Sequence, residues 1–199
     1  MKVCGLTGGV GMGKSAAARF FLERGTKLLD TDEIAHRLVQ PGQVALAAIQ
    51  AAFGGQVIGP AGELNRAALA QIVFADAGAR KQLEAVLHPL IREQWTTQID
   101  IWRGEDHLLA MVVIPLLFET QAEPHFDKII CAACSAAAQR KRLLARGWTP
   151  EQIRLRNAAQ LLVEEKIARS DYVIWTEGTL AVHAHQVDDI LARMVPASA

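Results

Sequence analysis

The stretch GLTGGVGMGKSAAARFF, residues 5–21, places a run of glycines directly in front of a strong helix former. Glycine loses more backbone entropy on ordering than any other residue, so such a run usually serves a geometric need. Residues 8–15, GGVGMGKS, match the pattern G-x-x-x-x-G-K-[ST], with a strand predicted before them and a helix after them. Backbone N–H groups of such a loop turn inward around phosphate oxygens. The sequence therefore predicts a nucleotide phosphate site.

We expect specific roles for two side chains of this loop. Lys14 is expected to reach the β- and γ-phosphates of the nucleotide, and the Ser15 hydroxyl is expected to bind Mg²⁺. The candidate nucleotide-binding residues of the loop are Gly8, Gly9, Val10, Gly11, Met12, Gly13, Lys14 and Ser15. The alternative is a glycine-rich turn with a surface lysine, which the flanking strand and helix argue against. The motif by itself indicates only that a nucleotide binds.

Length and composition indicate one globular domain of ordinary size. The chain has 199 residues, of which 51% are apolar and 21% are charged, and its formal net charge is zero. A nucleic-acid or membrane-surface partner would normally show as a basic excess, so neither is expected. The longest apolar run, residues 108–118, contains Pro115 and is too short to span a bilayer. Because no apolar targeting segment is evident, we expect a cytoplasmic protein.

Three cysteines are present, and two of them, Cys131 and Cys134, form a C-x-x-C pair. A zinc site would need further thiolate or imidazole ligands at regular spacing, and a redox pair usually opens a helix. Cys131 instead ends an apolar, strand-like run. We therefore interpret these cysteines as small buried residues.

Apolar runs alternate with helical patterns along the chain, which favours an α/β fold with a parallel sheet. Strands are predicted at residues 3–6, 27–29, 108–114, 128–132 and 172–175, with 108–114 as the central strand, and a helix is predicted at residues 15–24. Residues 34–103 hold helical patches and no convincing strand. Pro89 is expected to kink or break the last of these patches.

A second helical segment follows Cys134. A basic helix is predicted at residues 139–146, and the next helix begins at a capping signature with Thr149 as N-cap and Gln152 three residues later. That helix is expected to continue to about residue 169. The tail, residues 196–199, is expected to be frayed.

Asp30 and Asp32 follow the second predicted strand. Ligands of open parallel sheets bind outside the carboxyl ends of the strands, so these carboxylates could bind Mg²⁺ or take a proton from an acceptor hydroxyl. The alternative is that one of them caps the next helix, since Asp is a favoured N-cap. Both interpretations hold together if one carboxylate caps and the other takes part in the chemistry.

Arginines crowd the second helical segment, at Arg140, Arg142, Arg146, Arg154 and Arg156. Such a cluster on a movable flap could clamp a transferring phosphoryl group and exclude water. A solvated basic face with glutamates as partners is the alternative, and the cluster alone does not decide between them.

The chain resembles the dephospho-coenzyme A kinase family, and the resemblance covers nearly its whole length. The segments that carry it are GLTGGVGMGKS, LLDTDEIAH, FGGQVIGPAGELNRAAL, LEAVLHPLIR, IPLLFE, QRKRLLARG, RNAAQ and SDYVI. Two positions depart from the family pattern. Asn65 stands where the family often has Asp, and residues 175–178, WTEG, replace a polar turn that usually contains Asn.

The resemblance implies an ATP-dependent kinase that phosphorylates the ribose 3′-hydroxyl of dephospho-CoA, giving CoA and ADP in the last step of coenzyme A biosynthesis. It implies a three-layer P-loop kinase core with a five-stranded parallel sheet, a helical acceptor-binding domain and a helical lid. The corresponding ranges are about 1–33, 104–138 and 170–199 for the core, 34–103 for the acceptor-binding insertion and 139–169 for the lid. The sequence leaves the oligomeric state open between a monomer and a weak homo-oligomer.

Residue roles also follow from the resemblance. Asp32 corresponds to the proposed catalytic base, Lys14, Arg142 and Arg146 are further candidate catalytic residues, and Arg156 is a candidate nucleotide contact. The candidate substrate-binding residues are Asp30, Asp32, His88, Arg92, Leu116, Leu117, Phe118 and Glu119. For His88 alone, a packing or capping role is the more common alternative.

Two other function classes remain open from the sequence. One is another P-loop small-molecule kinase, for example one acting on a nucleoside monophosphate. The other is a nucleotide-dependent switch protein, although the strings D-x-x-G and N-K-x-D that GTPase switches usually carry do not occur in this chain.

Replacing Asp32 with Asn is expected to lower turnover by about 10²–10⁴-fold, the usual range for the loss of a general base. ATP should still bind to this variant. Steady-state kinetics combined with an ATP titration check both parts. Near-normal turnover of a correctly folded Asp32→Asn protein would remove Asp32 from the role of base.

Overall fold

A computed structural model describes residues 1–105 and 107–194, so the tail at 196–199 lies outside the described residues. The elements follow in the order β1 (Lys2–Thr7), α1 (Lys14–Glu23), β2 (Lys27–Asp30), α2 (Thr31–Leu38), α3 (Val44–Phe53), α4 (Arg66–Ala75), α5 (Ala77–Gly104), β3 (Leu109–Val113), β4 (Lys128–Ala133), α6 (Ala136–Ala145), α7 (Pro150–Ala158), α8 (Val163–Ala168), β5 (Tyr172–Trp175) and α9 (Leu180–Met194). Short 3₁₀ helices lie at Gly55–Val57 and Glu123–His125.

The five strands form one parallel sheet in the order β2-β3-β1-β4-β5, which confirms the predicted α/β fold. The register pairs Lys2 with Leu109 across β1 and β3, and Cys4 with Lys128 across β1 and β4. The expectation that residues 108–114 form the central strand is wrong, because β1 occupies the centre and β3 lies beside it. β1 is shielded by a neighbour on each side, and its residues from Val3 to Thr7 are buried.

Two helices cover one face of this sheet. Phe20 and Phe21 of α1, with Val187 and Ile190 of α9, join the inward side chains of the strands in one buried cluster. Parallel sheets need such cover, since their strands are apolar on both faces. The cluster therefore fixes α1, whose N-terminus follows the glycine loop, against the end of β1.

The chain divides into two compact units, residues 1–29 with 101–199 and residues 30–100. The second unit has its own apolar core, in which Ile49 and Phe53 of α3 pack with Val57 and Leu69. As predicted, residues 34–103 contain no regular strand, and an isolated antiparallel bridge joins Ile58 and Leu64.

Pro89 was expected to kink or break the last helical patch of residues 34–103, and the expectation of a break is wrong. Helix α5 continues through Pro89 from Ala77 to Gly104. Proline removes the N–H that would bond the carbonyl of Ala85, but Ala85 and Pro89 are both exposed, so that carbonyl can bond to water.

The expectation of one helix from Thr149 to about residue 169 is also wrong. The capping box is present, with the Thr149 hydroxyl accepting from the Gln152 backbone, but α7 ends at Ala158 and α8 starts at Val163. Between them the Leu161 N–H donates to a side-chain oxygen of Glu119 at 2.8 Å. A tertiary hydrogen bond thus takes the amide that a continuous helix would have used.

The three cysteines are free and buried, as interpreted from the sequence. None of the helices within residues 1–105 and 107–194 combines the length and the apolar character that crossing a bilayer requires. Burial raises the pKa of Cys4 to about 12 and the pKa of Cys131 to about 11, and burial also raises the pKa of Cys134.

Native protein is therefore expected to resist alkylation of its thiols by iodoacetamide at about pH 8, because the reactive thiolate is scarce and shielded. All three cysteines should react once the protein is unfolded, since a free thiol has a pKa of about 8.5. Mass spectrometry of native and denatured samples measures both states. Rapid labelling of Cys131 in the native protein would contradict its burial.

Candidate active site

The loop between β1 and α1 has a backbone that glycine makes possible. Gly8, Gly11 and Gly13 have φ angles of 140°, 72° and 90°, a range that other residues rarely adopt. A Cβ on Gly8 would overlap the carbonyl oxygen of Ala132 in β4, and a Cβ on Gly13 would lie 2.9 Å from the Thr176 side chain. Glycine is therefore required here for two reasons, the positive φ angles and the lack of space for a Cβ atom.

Lys14 and Ser15 begin helix α1, with Gly13 as its N-cap. The Lys14 ammonium donates to the carbonyl oxygens of Gly8 and Gly9 at 2.8 and 3.0 Å, so it lies across the loop. Ser15 is exposed in the first turn. The first N–H groups of a helix have no partner within it, and its N-terminus attracts anions. These groups fit a nucleotide phosphate and, at the Ser15 hydroxyl, a phosphate-bound Mg²⁺.

Amide side chains from the second helical segment hold the peptide groups of Val10. The Gln139 amide donates to the Val10 carbonyl oxygen at 2.8 Å, and the Val10 N–H donates to Gln160 Oε1 at 3.3 Å. Gln139 is itself fixed by two reciprocal hydrogen bonds with Asn157, at 3.1 and 3.2 Å. The loop therefore has a defined shape that side chains outside it maintain.

A second set of contacts links the loop to the turn after β5. The Thr176 hydroxyl donates to the Met12 carbonyl oxygen at 2.9 Å and accepts from the Arg142 guanidinium at 2.8 Å. Arg142 also donates to the Thr176 carbonyl oxygen. Arg142 thus supports this turn, and its charge lies within two hydrogen bonds of the loop backbone.

The other candidate arginines of this segment are more exposed. Arg146 is the C-cap of α6 and is exposed. The Arg156 guanidinium carbon lies 5.5 Å from the centre of the Trp148 ring, which places the cation over the aromatic face.

Residues 115–119 follow β3, and their side chains differ in exposure. Leu117 and Phe118 are buried, whereas Leu116 is half-buried. Glu119 Oε1 accepts from the Leu161 N–H and from Lys166 Nζ, each at 2.8 Å. Glu119 Oε2 is buried and has no hydrogen-bond partner within the described part of the chain. This segment therefore holds a carboxylate with one oxygen hydrogen-bonded twice and the other shielded from solvent.

In the second unit, Asp30 caps helix α2. Its Oδ1 accepts from the Asp32 N–H at 2.8 Å, and Asp32 lies exposed in the first turn of that helix. The capping interpretation is therefore confirmed for Asp30. Asp32 presents its carboxylate at a helix N-terminus, where a negative charge is stabilised.

His88 and Arg92 lie one turn apart on α5, and both are half-buried. Burial lowers the pKa of His88; Arg92 lowers it further, and Glu84 opposes both effects. Arg66 and His36 meet at 2.7 Å through His36 Nδ1. Asn65 keeps a capping function despite its departure from the family pattern, because its side-chain oxygen accepts from the Ala68 N–H at 3.1 Å.

Within residues 1–105 and 107–194, no group of three or more His, Cys, Asp and Glu side chains could hold a metal ion.

The sequence model of the dephospho-CoA kinase family matches residues 2–181. The chain belongs to this family. It is therefore an enzyme of the kinase class, a phosphotransferase, as its sequence motifs predict.

Curated relatives agree with this assignment. The dephospho-CoA kinase of Aromatoleum aromaticum is 44% identical over 196 residues, which cover 98% of this chain and 94% of the relative. That of Thiobacillus denitrificans is 43% identical over 201 residues, covering 100% of this chain and 98% of the relative.

Solved structures support the fold. A dephospho-CoA kinase from Campylobacter jejuni has a TM-score of 0.71 at 26% identity and covers 96% of both chains. A Thermus thermophilus protein reaches a TM-score of 0.83 at 30% identity, with 98% of both chains covered. A shikimate kinase from Acinetobacter baumannii, at 14% identity and a TM-score of 0.53, shares the fold over 98% of this chain and 93% of its own.

Sequence reasoning did not single out several residues that shape the site. Gln139 and Gln160 were recognised only as parts of matching segments, and Lys166 was not recognised at all. Lys166 occupies the same helical face as Val163 and Ile167, at a spacing typical of an inward stripe. A lysine on such a stripe is the signal that could have indicated a buried cation.

Replacing Gly8 with Ala is expected to weaken nucleotide binding at least about tenfold, since the new Cβ must displace the loop from Ala132. The strained backbone adds about 1–3 kcal/mol of destabilisation. Gly25→Ala is the matched control, because Gly25 also has a positive φ, of 83°, but has no atom within 4 Å of its Cβ position. Calorimetric titration with ATP and thermal unfolding measure both variants. Equal ATP affinity in the two variants would refute the steric argument.

Proposed function

We propose that this enzyme transfers the γ-phosphoryl group of ATP to the ribose 3′-hydroxyl of dephospho-CoA, releasing CoA and ADP. Membership of the dephospho-CoA kinase family supports the acceptor. The observation that supports the chemistry is the loop before α1, in which several glycines have positive φ angles and the Lys14 ammonium lies across the loop. Phosphoryl transfer depends mainly on positioning and charge stabilisation, which such a loop supplies.

The nucleotide end of the reaction belongs to the loop. Its N–H groups and Lys14 would bind the phosphates, and Lys14 would exchange the Gly8 and Gly9 carbonyls for phosphate oxygens, which are stronger partners for an ammonium. The Ser15 hydroxyl would hold Mg²⁺ together with the phosphates, and the ion would neutralise part of their charge.

The acceptor end is proposed to rest on two groups of residues. Asp32, exposed at the start of α2, would accept or orient the proton of the attacking hydroxyl, while Asp30 keeps that turn in place as its cap. The remaining proposed acceptor contacts are His88, Arg92, Leu116, Leu117, Phe118 and Glu119. Because Leu117 and Phe118 are buried, we propose that they shape the segment and that Leu116 and Glu119 make the direct contacts.

The arginines are proposed to stabilise developing charge. Arg146 is exposed and would contact the phosphoryl group directly. Arg142 would act from its place beside the phosphate loop, where it is hydrogen-bonded to Thr176. Arg156 is proposed as a nucleotide contact. We further propose that residues 34–103 form the acceptor-binding insertion and residues 139–169 the lid. A cytoplasmic location, a monomeric or weakly self-associating state and the lack of nucleic-acid and membrane partners stay predictions.

Incubation with Mg-ATP and dephospho-CoA is expected to give ADP and a product one phosphoryl group heavier, detected by mass spectrometry. AMP and shikimate are the control acceptors and should give no product. Lys14→Ala should abolish most turnover without unfolding the protein, because it removes a charge that binds the phosphates. Transfer to AMP in preference to dephospho-CoA, or no transfer by folded protein that binds ATP, would contradict the proposed function.

A further inference from the structure

Lys166 in helix α8 is a cation with no exposed surface. Its ammonium lies 2.8 Å from the Pro115 carbonyl oxygen and 2.8 Å from Glu119 Oε1. A buried charge is costly unless it is paired and hydrogen-bonded, and these two acceptors meet that need. The proposed chemistry assigns Lys166 no part.

Both partners of Lys166 are connected to the phosphate loop by further hydrogen bonds. The Pro115 carbonyl oxygen also lies 3.3 Å from the hydroxyl of Thr7, the residue directly before Gly8. Glu119 Oε1 also accepts from the Leu161 N–H, and the adjacent Gln160 accepts from the Val10 N–H.

These contacts close a ring of hydrogen bonds, here called the loop ring. It joins three segments of the first unit: residues 7–10, residues 115–119 and residues 160–166. Lys166 is the cation of the ring, and it bonds to both ends of the second segment. The ring holds the phosphate loop at two points, the Thr7 hydroxyl before it and the Val10 amide within it.

We propose that Lys166 is a positioning residue for phosphoryl transfer, which through the loop ring keeps the phosphate loop in a fixed place relative to residues 115–119. This inference rests on the proposed function, in which the loop holds the phosphoryl donor and residues 115–119 contact the acceptor. Displacement of a reacting group by about 1 Å can cost about 10²-fold in rate. Stability is a weak reason for such a pair, since apolar replacements of buried ion pairs are often neutral.

The test compares Lys166→Met, Glu119→Gln and the double variant with the wild type. Lys166→Met alone leaves the Glu119 carboxylate without its cation and is expected to lower the unfolding temperature. The double variant is uncharged at both positions and should regain much of that stability, so it keeps the test usable if the single variant folds poorly. The control is Lys128→Met with Asp171→Asn, which removes a more exposed ion pair of 2.6 Å at the amino-terminal ends of β4 and β5.

In the double variant, kcat for dephospho-CoA is expected to fall about 10–100-fold while the KM for ATP changes little, because the loop still binds phosphates but in a shifted position. Amide hydrogen exchange of residues 8–13 and 159–162 should become about tenfold faster in the double variant, as expected when one hydrogen bond of typical strength is lost. The control pair should change neither quantity. Glu119→Gln alone should raise the KM for dephospho-CoA more than it lowers kcat.

Wild-type kcat and unchanged exchange in the double variant would overturn the proposal. So would a fall in kcat without faster exchange at residues 8–13, because the effect would then not pass through the loop. A kcat loss of equal size in Glu119→Gln, with wild-type kcat in folded Lys166→Met, would assign the whole effect to Glu119 and overturn it as well. If the wild type itself transfers nothing to dephospho-CoA, the proposed function fails, and the exchange measurement decides whether Lys166 holds the loop.

Discussion

The pairing of β1 with β3 on one side and β4 on the other is the constraint on which the first unit depends. Because these strands are parallel, their carboxyl ends meet at one edge of the sheet. The ladder extends past the strands, with the Ile114 N–H bonded to the Leu6 carbonyl at 2.9 Å and the Thr176 N–H to the Ala133 carbonyl at 2.8 Å. The phosphate loop, residues 115–119 and the turn after β5 are thus brought together by backbone hydrogen bonds, and side chains then refine their positions.

Local patterns allowed much of this fold to be predicted. The glycine loop was recognisable because phosphate binding needs small residues and a helix start in a fixed order. The capping box at Thr149 was recognisable for a similar reason, since both of its hydrogen bonds join residues three apart. The same holds for Asp30, whose capping bond reaches only as far as Asp32. Where a structure is decided within a few residues, the sequence contains the whole explanation.

The features that could not be predicted depend on residues distant in the chain. The gap between α7 and α8 follows from a bond between Leu161 and Glu119, 42 residues apart. The roles of Gln139 and Gln160 depend on contacts with Val10, 129 and 150 residues away. β1 is the central strand because of pairing with segments more than 100 residues later. Composition and periodicity carry no information on such partners.

The bonds that Lys14 makes to the carbonyls of Gly8 and Gly9 have a consequence for product release in the proposed reaction. A cation that loses its anionic partner in a partly buried site is costly unless another acceptor replaces it. Here the loop contains that replacement, since two carbonyl oxygens lie within 3.0 Å of the ammonium. In the proposed function, departure of the spent nucleotide would be an exchange of ligands at Lys14. The Lys14 ammonium would therefore keep two hydrogen-bond acceptors when the phosphates leave, and the empty loop would not hold an unpaired charge.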